Sequence, residues 1–187
     1  MPHGSDGKLD GKRVGVVVSG GIAAYKTCFL VRDLVNLGAE VEVVMTRNAT
    51  EFVGPATFEA LAGRPVITEL FGKEASGRVE HVGSARAVDM VVIAPATANI
   101  LAKMACGIAD DAATTLLLAT RAPILAAPAM NDGMWQNEAT QENIAVLRRR
   151  GVLIIEPGVG FLAEGYEAVG RMAEPDRILE SLLRLEV

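Results

Sequence analysis

Short apolar segments alternate along the chain with longer segments whose apolar residues recur at helical spacing. Residues 14–18 are a mostly β-branched run, which is typical of a buried parallel strand. Residues 22–37 carry apolar side chains every three or four positions and are followed by Gly38. This pattern predicts a helix that a glycine ends.

The same alternation continues to the end of the chain. Further strands are predicted at residues 41–45, 90–93, 124–127 and 152–155. Further helices are predicted at residues 55–62, 98–106, 112–120, 138–150 and 175–185, and a glycine-rich loop at residues 157–170. Helices between successive strands require crossover connections, which make the sheet parallel. We therefore predict an α/β fold: a single doubly wound, Rossmann-like (flavodoxin-like) domain over residues 12–187, preceded by a flexible leader at residues 1–11.

Composition narrows the possible functions. Half of the 187 residues are hydrophobic and 22% are charged, which suits one domain with a buried core. The net charge of −5 argues against nonspecific nucleic-acid binding. Cys28 and Cys106 are too few for a disulfide framework or a four-thiolate zinc site, and no metal cluster is evident. No apolar run reaches the roughly 18 residues of a membrane span, and the polar N-terminus lacks a signal-peptide core, so we expect a cytoplasmic protein.

Four segments follow predicted strands, at the edge of the sheet where ligands bind in such folds. Ser19-Gly20-Gly21 is a small-residue turn before a helix, which favours a phosphate. It has neither the dinucleotide fingerprint nor the P-loop, and a tight turn that binds nothing is the alternative. The second segment is Thr46-Arg47-Asn48. The hydroxyls of Ser19 and Thr46 both lie at strand ends and favour a mononucleotide.

The other two segments both contain Pro-Ala. Small residues at 94–99 allow a flat ligand to approach the backbone; a helix cap at Thr97 or Asn99 is the alternative. Residues 127–135 end in the single tryptophan and either bind a ligand or pack as a loop. His81, beside Glu80, is a candidate general base, with a structural or surface role as the alternative.

Taken in order, four motifs resemble those of the flavin-dependent cysteine decarboxylases, a family of homo-oligomeric FMN proteins. The likeness runs from about residue 12 to residue 185. Ser-Gly-Gly-Ile-Ala-Ala-Tyr-Lys at 19–26 resembles the family's phosphate-binding turn, and His81-Val82 its active-site histidine motif. Pro-Ala-Thr-Ala-Asn at 95–99 resembles its Pro-Ala-Ser-Ala-Asn flavin motif. Pro-Ala-Met-Asn-Asp-Gly-Met-Trp at 128–135 resembles its Pro-x-Met-Asn-x-x-Met-Trp substrate motif and is the most specific of the four.

The resemblance implies a role for each matching residue. His81 would be the base, and Asn131 would hold the substrate carboxylate. Further substrate contacts would come from Met130, Met134, Trp135, Glu164, Arg171 and Met172. FMN would be held by Ser19, Gly20, Gly21, Ile22, Thr46, Pro95, Ala96, Thr97, Ala98, Asn99 and Ala127.

The resemblance also implies the chemistry and the partners. The cysteine thiol of the substrate is oxidised to a thioaldehyde, which serves as the electron sink for loss of CO₂. The product is an enethiolate, with reduced flavin. The substrate is a precursor peptide with a C-terminal cysteine or a small cysteinyl molecule. Family members form trimers, often trimers of trimers, with the flavin at a subunit boundary.

One departure from the family favours one of two substrates over the other. In phosphopantothenoylcysteine decarboxylases, a late Ala-Cys-Gly supplies a cysteine that helps to reduce the enethiol, whereas this chain has Glu164 in that place. The peptide-modifying branch lacks the cysteine and stops at the enethiol. Many bacterial family members of coenzyme A biosynthesis are fused to a ligase domain, which this sequence, ending at Val187, does not contain. These features favour oxidative decarboxylation of a peptide's C-terminal cysteine to an aminoenethiol.

Two alternatives remain. The first is phosphopantothenoylcysteine decarboxylation in coenzyme A biosynthesis, with Glu164 as another proton donor. The second is a different class of protein, a flavin prenyltransferase or an FMN electron carrier. Neither of these would need the Pro-Ala-Met-Asn segment.

Overall fold

A five-stranded parallel sheet forms the centre of the molecule in the computed structural model, which describes residues 7–70 and 88–185. The strands are β1 (Arg13–Val18), β2 (Glu40–Met45), β3 (Met90–Ala96), β4 (Ile124–Pro128) and β5 (Leu153–Ile154). Their order in the sheet is β2-β1-β3-β4-β5. The chain reverses its direction of winding between β1 and β3, which is where such sheets open a crevice for a ligand.

Helices cover both faces of the sheet. The described residues form α1 (Ala24–Asn36), α2 (Pro55–Ala62), α3 (Ala98–Cys106), α4 (Ala112–Ala119), α5 (Asp132–Gln136), α6 (Glu138–Arg149) and α7 (Pro175–Leu183). A short 3₁₀ helix spans Arg47–Glu51. An antiparallel hairpin of β6 (Gly158–Phe161) and β7 (Glu167–Arg171) lies apart from the sheet.

Successive side chains of β1 pack into two separate hydrophobic cores, because strand side chains alternate between the faces of a sheet. Val14, Val16 and Val18 belong to the cluster that α1, α2 and α7 cover, while Val17 packs with Ile93 under α3, α4 and α6. All five side chains are fully buried. A strand buried on both faces accounts for the continuous β-branched run in the sequence.

The predicted α/β fold, with its parallel sheet, is confirmed, and each predicted strand and helix has a counterpart. Gly38, the residue after the C-cap Leu37 of α1, has a φ of +90°, as a glycine that ends a helix does. Asp111 caps α4 in a reciprocal arrangement with Thr114.

Three local features differ from the sequence expectations. The supposed loop at 157–170 contains the β6–β7 hairpin, whose glycines make room for the opposite strand: a Cβ on Gly160 would lie 3.0 Å from Arg171 Cδ. Residues 128–135 contain the start of α5. Within the supposed leader, Leu9 is 4% exposed and its N–H donates to Leu37 O, so residues 7–11 pack onto the domain.

Helices long and apolar enough to cross a membrane are absent from the described ranges. Within those same ranges, no three His, Cys, Asp or Glu side chains gather closely enough to hold a metal ion.

Candidate functional site

The carboxyl ends of β1, β2, β3 and β4 bring together most of the predicted site residues that lie within the described structure. His81 and its neighbour Glu80 fall outside the described residues, so the role predicted for His81 stays a prediction.

Ser19 joins the end of β1 to the end of β3. Ser19 is 1% exposed. Its hydroxyl donates to Pro95 O at 2.6 Å and accepts from Thr97 N at 3.0 Å. Both partners are backbone atoms of the protein, and they hold the hydroxyl in place. Ser19 fixes the geometry of the turn and of the neighbouring Pro-Ala segment.

The Gly20-Gly21 turn is shaped for a group that binds backbone N–H. A Cβ on Gly20 would come within 2.5 Å of Asn48 Cβ and 2.9 Å of its carbonyl carbon, so only glycine fits against the 3₁₀ helix. Helix α1 follows with no side chain capping its N-terminus. Uncapped N–H groups and the positive end of a helix together suit an anion.

Thr46 provides an independent test of whether a cofactor fits here. Its Oγ1 is buried at the end of β2 and has no hydrogen-bond partner in the described structure. A buried hydroxyl without a partner is unfavourable. A ligand atom beside the turn would satisfy it, so these residues fit a phosphate-bearing cofactor.

The β3–α3 junction forms a wall of small residues. Pro95, Ala96 and Ala127 are buried, and Ala129 N donates to Ala96 O at 3.1 Å, which ties the end of β4 to that of β3. Thr97 caps α3 by accepting from Ile100 N at 3.5 Å, as the capping alternative predicts. Ala98 is half-buried and Asn99 is exposed.

Asn131 lies at the centre of a polar cluster between α5 and the β6–β7 hairpin. Its Oδ1 accepts from Gly133 N at 2.8 Å and so caps α5. Its Nδ2 donates to Glu164 Oε1 and to Tyr166 OH, both at 3.1 Å. The fixed Oδ1 orients the amide, so that both Nδ2 protons face the hairpin.

Tyr166, which no motif in the sequence singles out, closes this cluster. Its OH donates to Asp132 Oδ1 at 2.5 Å, and this hydrogen bond is the main reason that the pKa of the phenol is raised. The phenol therefore remains a donor at neutral pH. No local pattern connects Tyr166 with Asn131, because the two residues lie far apart in sequence and meet only in the fold.

Gly170 places the hairpin against residues 128–135. Met130 N donates to Gly170 O at 3.0 Å, and a Cβ on Gly170 would lie 2.1 Å from Met130 O. The close contact explains why Glu164 and Tyr166 at the hairpin tip reach Asn131.

The remaining predicted substrate residues differ in exposure. Met134 is 49% exposed and Met130 half-buried, so both present surface near Asn131. Trp135 and Met172 are 8% and 2% exposed and belong to the two cores. The structure thus places these last two side chains as packing residues within the isolated chain.

Arg171 takes part in an ionic chain. It contacts Glu174 Oε1 at 3.1 Å, and the same oxygen accepts from Lys26 Nζ at 2.8 Å. The hydrogen bond from Lys26 is the largest influence lowering the pKa of Glu174. The sequence alone indicates that Lys26 is buried and paired. It precedes Leu30 and Leu34 at intervals of four on the buried face of α1, where a cation needs a partner of opposite charge.

A cavity of about 420 Å³ opens at the other end of the sheet, near the start of β4, the start of β5 and the end of α6. It contains none of the predicted site residues; its walls include Met104, Leu117, Arg121, Ile124 and Arg150. Its position does not coincide with the strand ends at which the predicted residues meet.

Comparison with known proteins agrees with this geometry. The family model described as Flavoprotein matches residues 3–185. The chain is 46% identical over 172 residues to the coenzyme A biosynthesis bifunctional protein CoaBC of Bacillus subtilis, and 48% identical over 173 residues to that of Mycobacterium tuberculosis. These matches cover 92% of this chain but only 42% and 41% of those proteins, so the chain spans about two fifths of their length.

Solved structures show the same relationship. The FMN-dependent cysteine decarboxylase SpaF has a TM-score of 0.81 and 34% identity, over 94% of this chain and 97% of that one. A mutant PPC decarboxylase complexed with pantothenoylaminoethenethiol has a TM-score of 0.81 and 32% identity, over 91% of this chain and 96% of that one. The chain therefore belongs to the Flavoprotein family, within the group of flavin-containing cysteine decarboxylases.

Proposed function

We propose that the chain is an FMN-dependent decarboxylase that acts on phosphopantothenoylcysteine in coenzyme A biosynthesis. The observation that carries this proposal is the 46–49% identity to CoaBC proteins over 89–92% of the chain. The proposed substrate is therefore phosphopantothenoylcysteine and not the peptide that Glu164 alone favours.

The residues at the strand ends would hold the cofactor. The N–H groups of Gly20, Gly21 and Ile22 suit the phosphate, and the partnerless hydroxyl of Thr46 suits a polar atom nearby. The small residues 95–99 and Ala127 suit a flat ring. When bound, FMN supplies a two-electron acceptor that turns the cysteine side chain into an electron sink for decarboxylation.

The side chains of this protein would orient the substrate. The Nδ2 of Asn131 donates hydrogen bonds suited to a carboxylate, and its orientation is fixed by the bond to Gly133 N. Met134 would line the same pocket with apolar surface. His81 would take a proton from the substrate during its oxidation.

A peptide substrate is the second candidate, and Glu164 is the observation in its favour. The thiols of the described structure do not replace the missing cysteine: Cys28 lies on α1, and Cys106 is exposed at the end of α3. Both cysteines lie on elements other than the hairpin that carries Glu164.

The products distinguish the two substrates. FMN-loaded protein is offered phosphopantothenoylcysteine and, separately, a peptide that ends in cysteine, and each product is analysed by mass spectrometry. The proposal predicts loss of CO₂ alone from phosphopantothenoylcysteine. Loss of CO₂ plus two hydrogens from the peptide, with the other substrate untouched, would assign the protein to the peptide-modifying branch.

We also propose a homo-oligomer, a trimer or trimers of trimers. Ile22, Tyr25 and Phe29 are 62%, 51% and 55% exposed and form one apolar stripe beside the phosphate-binding turn. Apolar surface of this kind favours a protein contact. Light scattering should give a multiple of the 19.7 kDa chain, and Phe29→Ser should shift the protein towards smaller species.

A further inference from the structure

We propose that Glu164 sets the affinity of the protein for the substrate carboxylate by competing with it for the side-chain amide of Asn131. The inference rests on the proposed function, in which Asn131 holds that carboxylate. It concerns a residue that distinguishes this chain from the cysteine-bearing branch of the family.

The first observation is that the amide of Asn131 is saturated. A carboxamide nitrogen has two N–H donors. One is directed to Glu164 Oε1 and the other to Tyr166 OH, each at 3.1 Å. A substrate carboxylate can therefore bind Nδ2 only by replacing one of these acceptors.

The second observation identifies the acceptor that leaves. Tyr166 is held on its other side by Asp132 Oδ1 at 2.5 Å. Glu164 is exposed, and among the described residues its carboxylate hydrogen-bonds to Asn131 alone. Displacing Glu164 breaks one hydrogen bond, whereas displacing Tyr166 disrupts a chain of three groups.

Charge makes the exchange necessary. The Glu164 carboxylate makes the same N–H···O contact that a substrate carboxylate would make. Asp132 adds a second carboxylate to the cluster. A third would be repelled while Glu164 stayed in place, so substrate binding and departure of Glu164 are coupled.

The hairpin allows such an exchange without unfolding. Leu162 N donates to Tyr166 O at 2.9 Å, and Gly165 N donates to Leu162 O at 3.0 Å, so the tip is a closed turn. Glu164 lies within that turn with its side chain outside the core. A rotation of its side chain releases Asn131 while the turn keeps its hydrogen bonds.

The test compares Glu164→Gln and Glu164→Ala with Glu167→Gln, the matched control. Glu167 is an exposed carboxylate at the start of β7, and the Asn131 amide donates to Glu164 and Tyr166 rather than to it. The probes are phosphopantothenoylalanine, which has no thiol to oxidise, and its C-terminal amide. Calorimetry on the FMN-loaded proteins gives the Kd of each probe.

Glu164→Ala removes the competing acceptor and should bind the free acid roughly tenfold more tightly than wild type, about 1.4 kcal/mol, whereas Glu164→Gln keeps a neutral, weaker acceptor and should gain roughly threefold, about 0.7 kcal/mol. The Kd of the amide should change less than that of the acid, because its carbonyl oxygen is a weaker acceptor, and both Kd values of Glu167→Gln should not change. An unchanged Kd for the acid, or equal tightening of acid and amide, would overturn the assignment of Glu164 alone. If no form binds either probe and wild type releases no CO₂ from phosphopantothenoylcysteine, the proposed function fails and this inference fails with it.

Discussion

Replacing Gly170 by alanine should weaken the contact that holds the hairpin against residues 128–135. Gly170 has a φ of +135°, a conformation that L-residues rarely adopt, and its missing Cβ would lie 2.1 Å from Met130 O. The hydrogen bond from Met130 N to Gly170 O, 3.0 Å long, crosses the same contact. An alanine therefore introduces both backbone strain and a collision with backbone, which cannot move away as a flexible side chain can.

The cost can be estimated from its parts. Strain at a positive φ costs about 1–3 kcal/mol, and losing the hydrogen bond costs about 1 kcal/mol. Gly170→Ala should thus lower the free energy of unfolding by about 2–4 kcal/mol. For a domain of this size, each kcal/mol corresponds to roughly 2–4 °C in Tm, so we expect a decrease of roughly 4–16 °C.

Gly165→Ala is the matched control. Gly165 lies in the same hairpin with a φ of +88°, but its Cβ would meet no atom within 4 Å. Strain, partly offset by the reduced entropy of the unfolded chain, should cost about 1 kcal/mol. The two variants therefore separate strain from collision.

Thermal unfolding at a fixed, saturating FMN concentration measures both variants, because a bound ligand itself raises Tm. Equal losses of Tm in the two variants would refute the reasoning, because they would show that the close contact with Met130 O contributes nothing.

The other predictions concern the chemistry of the site. Asn131→Ser keeps an oxygen that can cap α5 but removes the amide donors; decarboxylation should fall roughly tenfold or more while the flavin-to-protein ratio stays unchanged, and loss of flavin would make Asn131 a cofactor or folding residue instead. His81→Asn should retain FMN but lose reduction of the flavin by substrate under anaerobic conditions, and normal turnover would remove His81 from the mechanism. Glu174→Gln leaves Lys26, 8% exposed, with a weaker acceptor and should lower the free energy of unfolding by about 1 kcal/mol at neutral pH. Because Lys26 lowers the pKa of Glu174, this difference is fully present above the ordinary glutamate range and should shrink as pH falls through the lowered pKa; a difference independent of pH would contradict the ionic contribution.

Periodicity predicted the sheet and its helices because each strand and helix buries a face that shows in its own sequence. Val14–Val18 on both cores and Gly38 after α1 are local features of this kind. The hairpin is different: Gly158 and Gly160 suggest a loop, and their function as space for Arg171 depends on the opposite strand.

The candidate site follows the same division. The turn at Gly20 and the cap at Thr97 could be predicted from small residues and hydroxyls at strand ends. Tyr166 could not, because its bonds to Asn131 and Asp132 join segments that are remote in sequence. Glu164 was noticed as a departure from a motif, but only the fold shows that its carboxylate contacts the amide of Asn131.

The most direct measurement of the central proposal is a competition between the two substrates in one vessel. FMN-loaded protein receives equal concentrations of phosphopantothenoylcysteine and a peptide ending in cysteine, and mass spectrometry follows both over time. We expect phosphopantothenoylcysteine to be consumed first, with loss of CO₂ alone. Preferential consumption of the peptide, with loss of CO₂ and two hydrogens, would contradict a role in coenzyme A biosynthesis.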